Sequence, residues 1–260
     1  MSLVLPGLIG ANNPPSAWNG NAYSVSLDGT DDYVQTDFAP STIGTGDYSV
    51  SFWFNINSGA SVSEQHPYFF AFGASADTGP TNIYQGCGLT QGSGGGYAVR
   101  INNQWNSSYI QQPSSSTSDV TEGNWYHFLF VRDGNTLRLY KNGNTTPLVT
   151  LSNAEIASND LNLGSELRIG YGYGAASRYV NGLIDEFAVF NSALNGTDAS
   201  NIYNGGTPAD LSSRNPLLWL RMGDNDDGTG TTITDKGSGG NDGTIENVSS
   251  PNGIVTDVPT

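Results

Sequence analysis

Residues 124–143, NWYHFLFVRDGNTLRLYKNG, constrain this chain more than any other stretch. In an extended backbone, Trp125, His127, Leu129 and Val131 fall on one face. Tyr126, Phe128, Phe130 and Arg132 fall on the other. A period of two with both faces largely apolar marks a strand inside a sandwich, with His127 on an inward face. Asp133-Gly134 is a hairpin turn, because both residues tolerate positive φ. The second arm then alternates, with Leu137 and Leu139 inward and Arg138 and Tyr140 outward, until Asn142-Gly143 turns the chain again.

The pattern recurs along the chain. Tyr23, Val25 and Leu27 alternate, and Tyr33-Val34 starts a second strand after the turn SLDGTDDYV. Residues 47–56 place Tyr48, Val50, Phe52, Phe54 and Ile56 on one face against Ser49, Ser51, Trp53 and Asn55, the pattern of a half-buried strand. Strands are also expected at 67–72, 97–101, 147–151, 166–171, 180–190 and 217–222, with a weaker one near 244–248. Residues 57–66 read as a polar loop, 86–96 end in a glycine run, and 102–118 read as exposed. Thr197 is the expected cap of one short helix running to Tyr203 and stopped by Asn204-Gly205-Gly206. Glycine contributes 34 of the 260 residues, as many short strands joined by tight turns require. Without crossover helices a parallel α/β sheet is excluded. The fold class is all-β: a two-sheet antiparallel β-sandwich with one short helix.

Residues 1–17 read as an extended apolar arm that packs on its own domain or on a neighbouring subunit. Residues 18–206 form the sandwich, and 207–260 form a C-terminal segment that adds edge strands to the same sandwich or to a neighbour. The formal net charge of −15 disfavours nucleic acid and anionic membrane as partners. It leaves open acidic loops that hold calcium or simply confer solubility. Cys87 stands alone, so no internal disulfide forms, and it reads as a small buried residue. The start, MSLVLPGLIG, lacks a basic n-region, and no stretch approaches transmembrane length.

Four segments in order, SLDGTDDYV (26–34), YSVSFWF (48–54), the hairpin at 124–143 and NGLIDEFAVFNSALNGTDASNIYNGG (181–206), resemble the concanavalin A-like jelly roll of the laminin-G-like lectin and glucanase group. In such proteins a segment like LLWLRMGDNDDGTGTTITDKGSGGNDGTIEN usually precedes the domain, whereas here it follows, from Leu217 to Asn247. The combination resembles virion proteins of tailed bacteriophages. That resemblance implies a non-catalytic virion protein, such as a capsid decoration, head fibre or tail component. It would be assembled in the host cytoplasm, exposed outside the cell, and partnered by virion proteins, by copies of itself or by glycans. The alternatives are a stand-alone carbohydrate-binding lectin module and a glycoside hydrolase. The resemblance also implies a structural calcium ion that ties an N-terminal turn to the last buried strand. The matching positions are Asp28 and Asp185, with Asp31 and Asp32 nearby; the competing reading is an Asx-turn at Asp28 and a backbone hydrogen bond at Asp185. No cofactor is required.

Retaining glycoside hydrolysis needs two carboxyl groups about 5 Å apart. The glutamates show no Glu-x-Asp-x-Glu spacing, and Asp185 and Glu186, being adjacent, are expected on opposite sides of a strand. The two histidines have no metal-ligand spacing, no G-x-S-x-G occurs, and the glycine run at 92–96 lacks the Lys-Ser/Thr of a phosphate-binding loop. Sugar recognition uses flat aromatic platforms ringed by polar groups. Trp105, Tyr109, Tyr171, Tyr173 and Tyr179 sit in loop-like polar surroundings and are the candidates. Trp53, Trp125 and Trp219 lie on strong strands and read as core.

Overall fold

The computed structural model describes residues 20–60, 66–73, 84–92, 96–105, 108–116, 118–161, 166–172, 178–248 and 253–260. The expected arm at 1–17 and Tyr173 lie outside the described residues. Two antiparallel sheets of 8 strands each face one another. The first contains β1 (Ser24–Asp28), β3 (Tyr48–Ile56), β8 (Trp125–Asp133), β9 (Thr136–Lys141), β10 (Val149–Ser152), β12 (Asn181–Phe190), β13 (Leu218–Leu220) and β16 (Ile254–Val255). Its order is β10-β9-β8-β3-β12-β1-β16, with β13 also paired to β12. The second contains β2 (Tyr33–Thr36), β4 (Tyr68–Gly73), β5 (Tyr84–Gln91), β6 (Tyr97–Trp105), β7 (Ser108–Pro113), β11 (Glu166–Ile169), β14 (Thr232–Ile233) and β15 (Gly243–Glu246). Its order is β14-β15-β2-β11-β4-β5-β6-β7.

The expected alternation builds the core. Phe52 lies 5.3–6.1 Å, centroid to centroid, from Phe69, Phe70, Phe128 and Phe187, so rings from β3, β8 and β12 interlock with rings from β4. Each ring so buried contributes about 1.5–3 kcal/mol. One end of the sandwich is closed by polar groups. Tyr48 donates to Gln85 (2.6 Å), and the Gln85 and Asn159 side-chain amides donate to Asn103 Oδ1. The buried Arg132 guanidinium donates to the carbonyls of Asn159, Thr45 and Ala157. These carbonyls supply the acceptors that a buried cation needs.

The first sheet is buried on its outer face as well. α2 (Gly196–Tyr203) lies over β3, β8 and β9, and stacks Tyr203 on Trp53 at 5.5 Å. β3 is therefore buried along its whole length rather than half-buried. His127 faces the helix, not the opposite sheet. Its Nε2 is 2.9 Å from Ser51 Oγ, and burial pushes its pKa down to about 3. The cap of α2 is Asn195, not Thr197: its side chain accepts from Thr197 N and Asp198 N, and Asp198 returns a bond to the Asn195 N–H. That reciprocal pattern is a capping box. A second, one-turn helix, α1 (Ala154–Ser158), went unread in the sequence. It is capped by Asn153 and buries Ile156. Residues 102–118 are not simply exposed either, because β6 and β7 pair there as a hairpin. Trp125 is half-buried, its indole donating to Asp257 (2.9 Å), while Trp53 and Trp219 are buried.

The C-terminal segment folds back on its own chain. β13 pairs β12, β15 pairs β2, and β16 pairs β1. Along β12, residues 181–184 pair β1 and residues 187–189 pair β13, and the register shifts between Asp185 and Ala188. This bulge corrects the expectation that Asp185 and Glu186 point to opposite sides. Ile184 and Phe187 are the successive core residues, so both acids are left off the core face, and Glu186 adopts φ 48. Glu186 accepts from Trp219 Nε1 (2.6 Å) and Arg221 Nε (3.0 Å). Asp185 accepts from Asn21 Nδ2 (2.8 Å) and from the Glu186 N–H (2.7 Å), and Asp224 accepts from Arg221 (3.2 Å).

Glu186 and Asp224 thus share one arginine, and Asp185 lies beside them without a cation of its own. Burial, then the neighbouring Glu186, pushes Asp185 well above the usual carboxylate range. Burial also lifts Glu186 from 4.5 to about 7, against the pull of Arg221. A carboxyl group whose pKa rises on folding stabilises the fold at low pH, and that contribution is lost as pH rises through the folded value. Urea denaturation is therefore expected to show stability falling between about pH 4.5 and about 7. Asp185→Asn should flatten that slope, because the unpartnered Asn21 Oδ1 can turn to accept from the new amide. An unchanged slope would remove Asp185 from the pH response.

Candidate functional site

Outward positions of the second sheet converge on a groove. On β6, Val99 and Ile101 enter the core, so Arg100, Asn102 and Gln104 project outward. On β7, Ile110 packs against the core, so Tyr109 and Gln111 project outward. Between β6 and β4, Gly86 and Gly88 lie opposite Asn102 and Arg100, and leave a lane without side chains. Glycine is required there by close approach, since a Cβ on Gly88 would come 2.2 Å from the Pro67 carbonyl oxygen. Loop residues His66 and Arg178 complete a groove of about 370 Å³ lined also by Arg100, Gln104, Tyr109 and Gln111.

The lining residues hold one another. Arg100 Nη1 donates to Gln111 Oε1 (2.9 Å) and Nη2 reaches the Tyr68 hydroxyl (3.5 Å). The Arg100 and Arg178 guanidinium carbons lie 5.5 and 5.8 Å from the Tyr68 ring centroid. The Tyr109 hydroxyl is 2.9 Å from Asn102 Oδ1 and 2.8 Å from Gln111 Oε1, and with a single proton it serves one at a time. The residue is 41% exposed. His66, at φ 48, sets Nδ1 3.2 Å from Thr90 Oγ1. Burial, then Arg100 and Arg178, holds its pKa below 6.5. Arg100 Nε and Asn102 Nδ2 are buried without a partner. A part-exposed tyrosine beside amide and guanidinium groups can stack on the C–H face of a sugar ring and bond its hydroxyls.

A second aromatic cluster lies on the same sheet. Tyr171 and Tyr179 stack at 4.2 Å and 15°, and Tyr33 packs 5.6 and 6.3 Å from them. The Arg168 guanidinium lies 5.7 Å from the Tyr33 ring and 5.3 Å from the Tyr171 ring. Of the aromatic candidates, Tyr109 thus lines the groove, whereas Tyr171 and Tyr179 join this other cluster. Trp105 ends β6, paired with Ser108. The sequence reading passed over Arg100, Arg178, His66 and Tyr33. A strand arginine with apolar flanks, as in AVRI, was the available signal.

Carboxylate oxygens of Asp28, Asp31 and Asp32 lie within 4.8 Å of one another, a set that could hold a cation. Their mutual repulsion is one cause, after burial, of a raised Asp32 pKa. Backbone donors already serve two of them. Asp28 Oδ1 accepts from Thr30 N (2.7 Å) in an Asx-turn, and Asp32 Oδ2 accepts from Asp28 N (3.1 Å). Asp185 does not join them. Asp28 pairs with Asn181, and Asp185 lies beyond the far end of that register, bonded to Asn21. Among the described residues, those that line the groove include no carboxylate. A larger hollow of about 440 Å³ lies along residues 141–148, but it carries no aromatic ring.

This geometry belongs to a known class: the chain is a member of the concanavalin A-like lectin/glucanases superfamily, whose laminin-G-type model matches residues 28–200. No curated protein matches the sequence. Among solved structures, a Bacteroides ovatus ATCC 8483 protein assigned to carbohydrate binding aligns at 14% identity and TM-score 0.61, over 92% of this chain. This chain spans 61% of that protein's length. A heptameric SAP-like pentraxin from Limulus polyphemus aligns at 18% identity and TM-score 0.52, over 70% of this chain and 82% of its own. Tailspike protein 2 of Escherichia coli O157:H7 bacteriophage CAB120 aligns at 13% identity and TM-score 0.54, over 76% of this chain and 26% of its own. At these identities the likeness is one of fold. Among the described residues no helix is long and apolar enough to cross a membrane.

The positive field of the groove is directly measurable. NMR titration should find the His66 midpoint below 6.5, and Arg178→Gln should move it upward. A midpoint that ignores this substitution would contradict the arrangement.

Proposed function

We propose that this chain is a non-catalytic glycan-binding jelly roll that uses the outer groove of its second sheet. The observation that carries this reading is the exposed Tyr109 ring beside Arg100, Gln104 and Gln111, lining a groove of about 370 Å³. Asp185 and Glu186 are buried and bonded to Asn21, Trp219 and Arg221, and neither is among the described residues that line the groove, which supports the non-catalytic part. Binding is proposed to need no cofactor, because backbone donors already close the Asp28–Asp32 turn; the three carboxylates remain the residues that would hold a structural calcium ion.

A second, finer reading places the module on a virion, as a capsid decoration, head fibre or tail component, exposed outside the cell and held by other virion proteins or copies of itself. The bacteriophage tailspike among the similar folds supports it.

A glycan array tests the first reading. Binding to at least one glycan class is expected, weakened at least tenfold by Tyr109→Ala with the melting temperature retained, and unaffected by chelation of calcium. A blank array from folded protein would overturn glycan binding. Binding lost on chelation and restored by calcium would instead assign the Asp28–Asp32 turn an ion.

A further inference from the structure

Positive charge is scarce in this protein, with nine basic residues against 24 acidic ones. Two of the nine, Arg100 and Arg178, stand within 6 Å of the same Tyr68 ring, one strand pair from the Tyr109 face. Arg100 is 4% exposed, so its charge is largely withdrawn from water. Among the described residues neither arginine pairs with a carboxylate, and Arg100 donates to the neutral Gln111 and Tyr68 oxygens. Arg138, Arg214 and Arg221 each meet an acid, Arg132 meets three carbonyls, and Arg168 donates to Gln35 Oε1 beside the Tyr33 and Tyr171 rings. The pairing of two arginines on one ring is peculiar, among the described residues, to Arg100 and Arg178. Holding two like charges together beside a hollow, one of them desolvated, is costly unless an anion completes the set.

The orphaned donors agree with this. Arg100 Nε and Asn102 Nδ2 have no acceptor among their surroundings, although both residues are buried and sit on outward positions of β6. A buried donor left unmade costs about 1–3 kcal/mol, so a site with two of them is incomplete by itself. Guanidinium and amide N–H groups match the oxygens of a carboxylate or sulfate. Among the described residues that line the groove none is an acid, so these residues add none of the repulsion that the acidic surface exerts elsewhere.

We propose that the Arg100–Arg178 groove recognises an acidic sugar, a glycan residue bearing a carboxylate or sulfate, with Arg178 and Arg100 facing the anion and Tyr109 supporting the ring. This rests on the glycan-binding reading and narrows it. The net charge of −15 repels a long polyanion everywhere outside the groove, so the fit is to an isolated or terminal acidic residue.

The test is calorimetric titration of the intact chain with four sets of short oligosaccharides: uronic-acid-containing, sialylated, sulfated and neutral. At least one acidic set should bind tenfold or more tightly than the neutral set, and the set that does so distinguishes carboxylate from sulfate. Arg178→Gln should cost that acidic set at least tenfold and any neutral binding much less, with the melting temperature unchanged. Because Arg178 is half-buried rather than part of the core, this variant is the primary one. Arg100→Lys, which keeps the charge but loses the unpartnered Nε, should weaken the same set. Neutral sugars that bind as well as acidic ones, or an acidic preference that survives Arg178→Gln, would overturn the inference and leave glycan binding standing. No binding to any set would overturn both.

Discussion

The interlock of Phe52 with Phe69, Phe70, Phe128 and Phe187 is the contact on which the rest of the molecule depends. It fixes which side of every strand faces inward, since a slip of one residue would exchange the two faces of a strand. Once the inward set is fixed, the outward set follows. On the first sheet that outward set is Ser51, Trp53, His127, Leu129 and Tyr140, and α2 seals it. On the second it is Arg100, Asn102, Tyr109 and Gln111, and the helix beside this sheet, α1, sends Ile156 into the core and meets the end of β6 through Asn159. The two faces of one sandwich have thus become different surfaces, one a floor for a helix and the other a groove.

The C-terminal segment belongs to the same logic. β12 exchanges its neighbour from β1 to β13 at the Asp185–Ala188 bulge, so one strand holds the early and late parts of the chain together. The extra residue of the bulge directs Asp185 and Glu186 into a nest with Arg221, Trp219 and Asn21. These acids are occupied in joining the N-terminal approach, the central strand and the C-terminal return. That occupation explains why the most strongly perturbed carboxyl groups of the chain lie apart from its groove.

Much of this was legible in the sequence. Alternating runs such as YSVSFWF and YHFLFV specify a buried strand with little ambiguity, because a period of two with large rings fits few other structures. The helix cap was misplaced by two residues, since Asn195 and Thr197 are both good caps and only the reciprocal bond from Asp198 distinguishes them. The bulge was illegible, because nothing in LIDEFAV marks the extra residue, so the reading of Asp185 against Glu186 failed there. The groove was half legible. Tyr109 stood out as an aromatic residue in polar company, whereas Arg100 and Arg178 are 78 residues apart and meet only through the sheet order β11-β4-β5-β6 and the loop before β12. Long-range pairing of this kind leaves no local trace in sequence.

The central claim is that recognition occurs on the outer face of the second sheet. Hydrogen–deuterium exchange with and without a bound oligosaccharide tests it most directly. The account predicts slowed exchange confined to β6, β7 and the backbone around His66 and Arg178. Protection centred instead on the Asp28–Asp32 turn, or on residues 141–148, would contradict it.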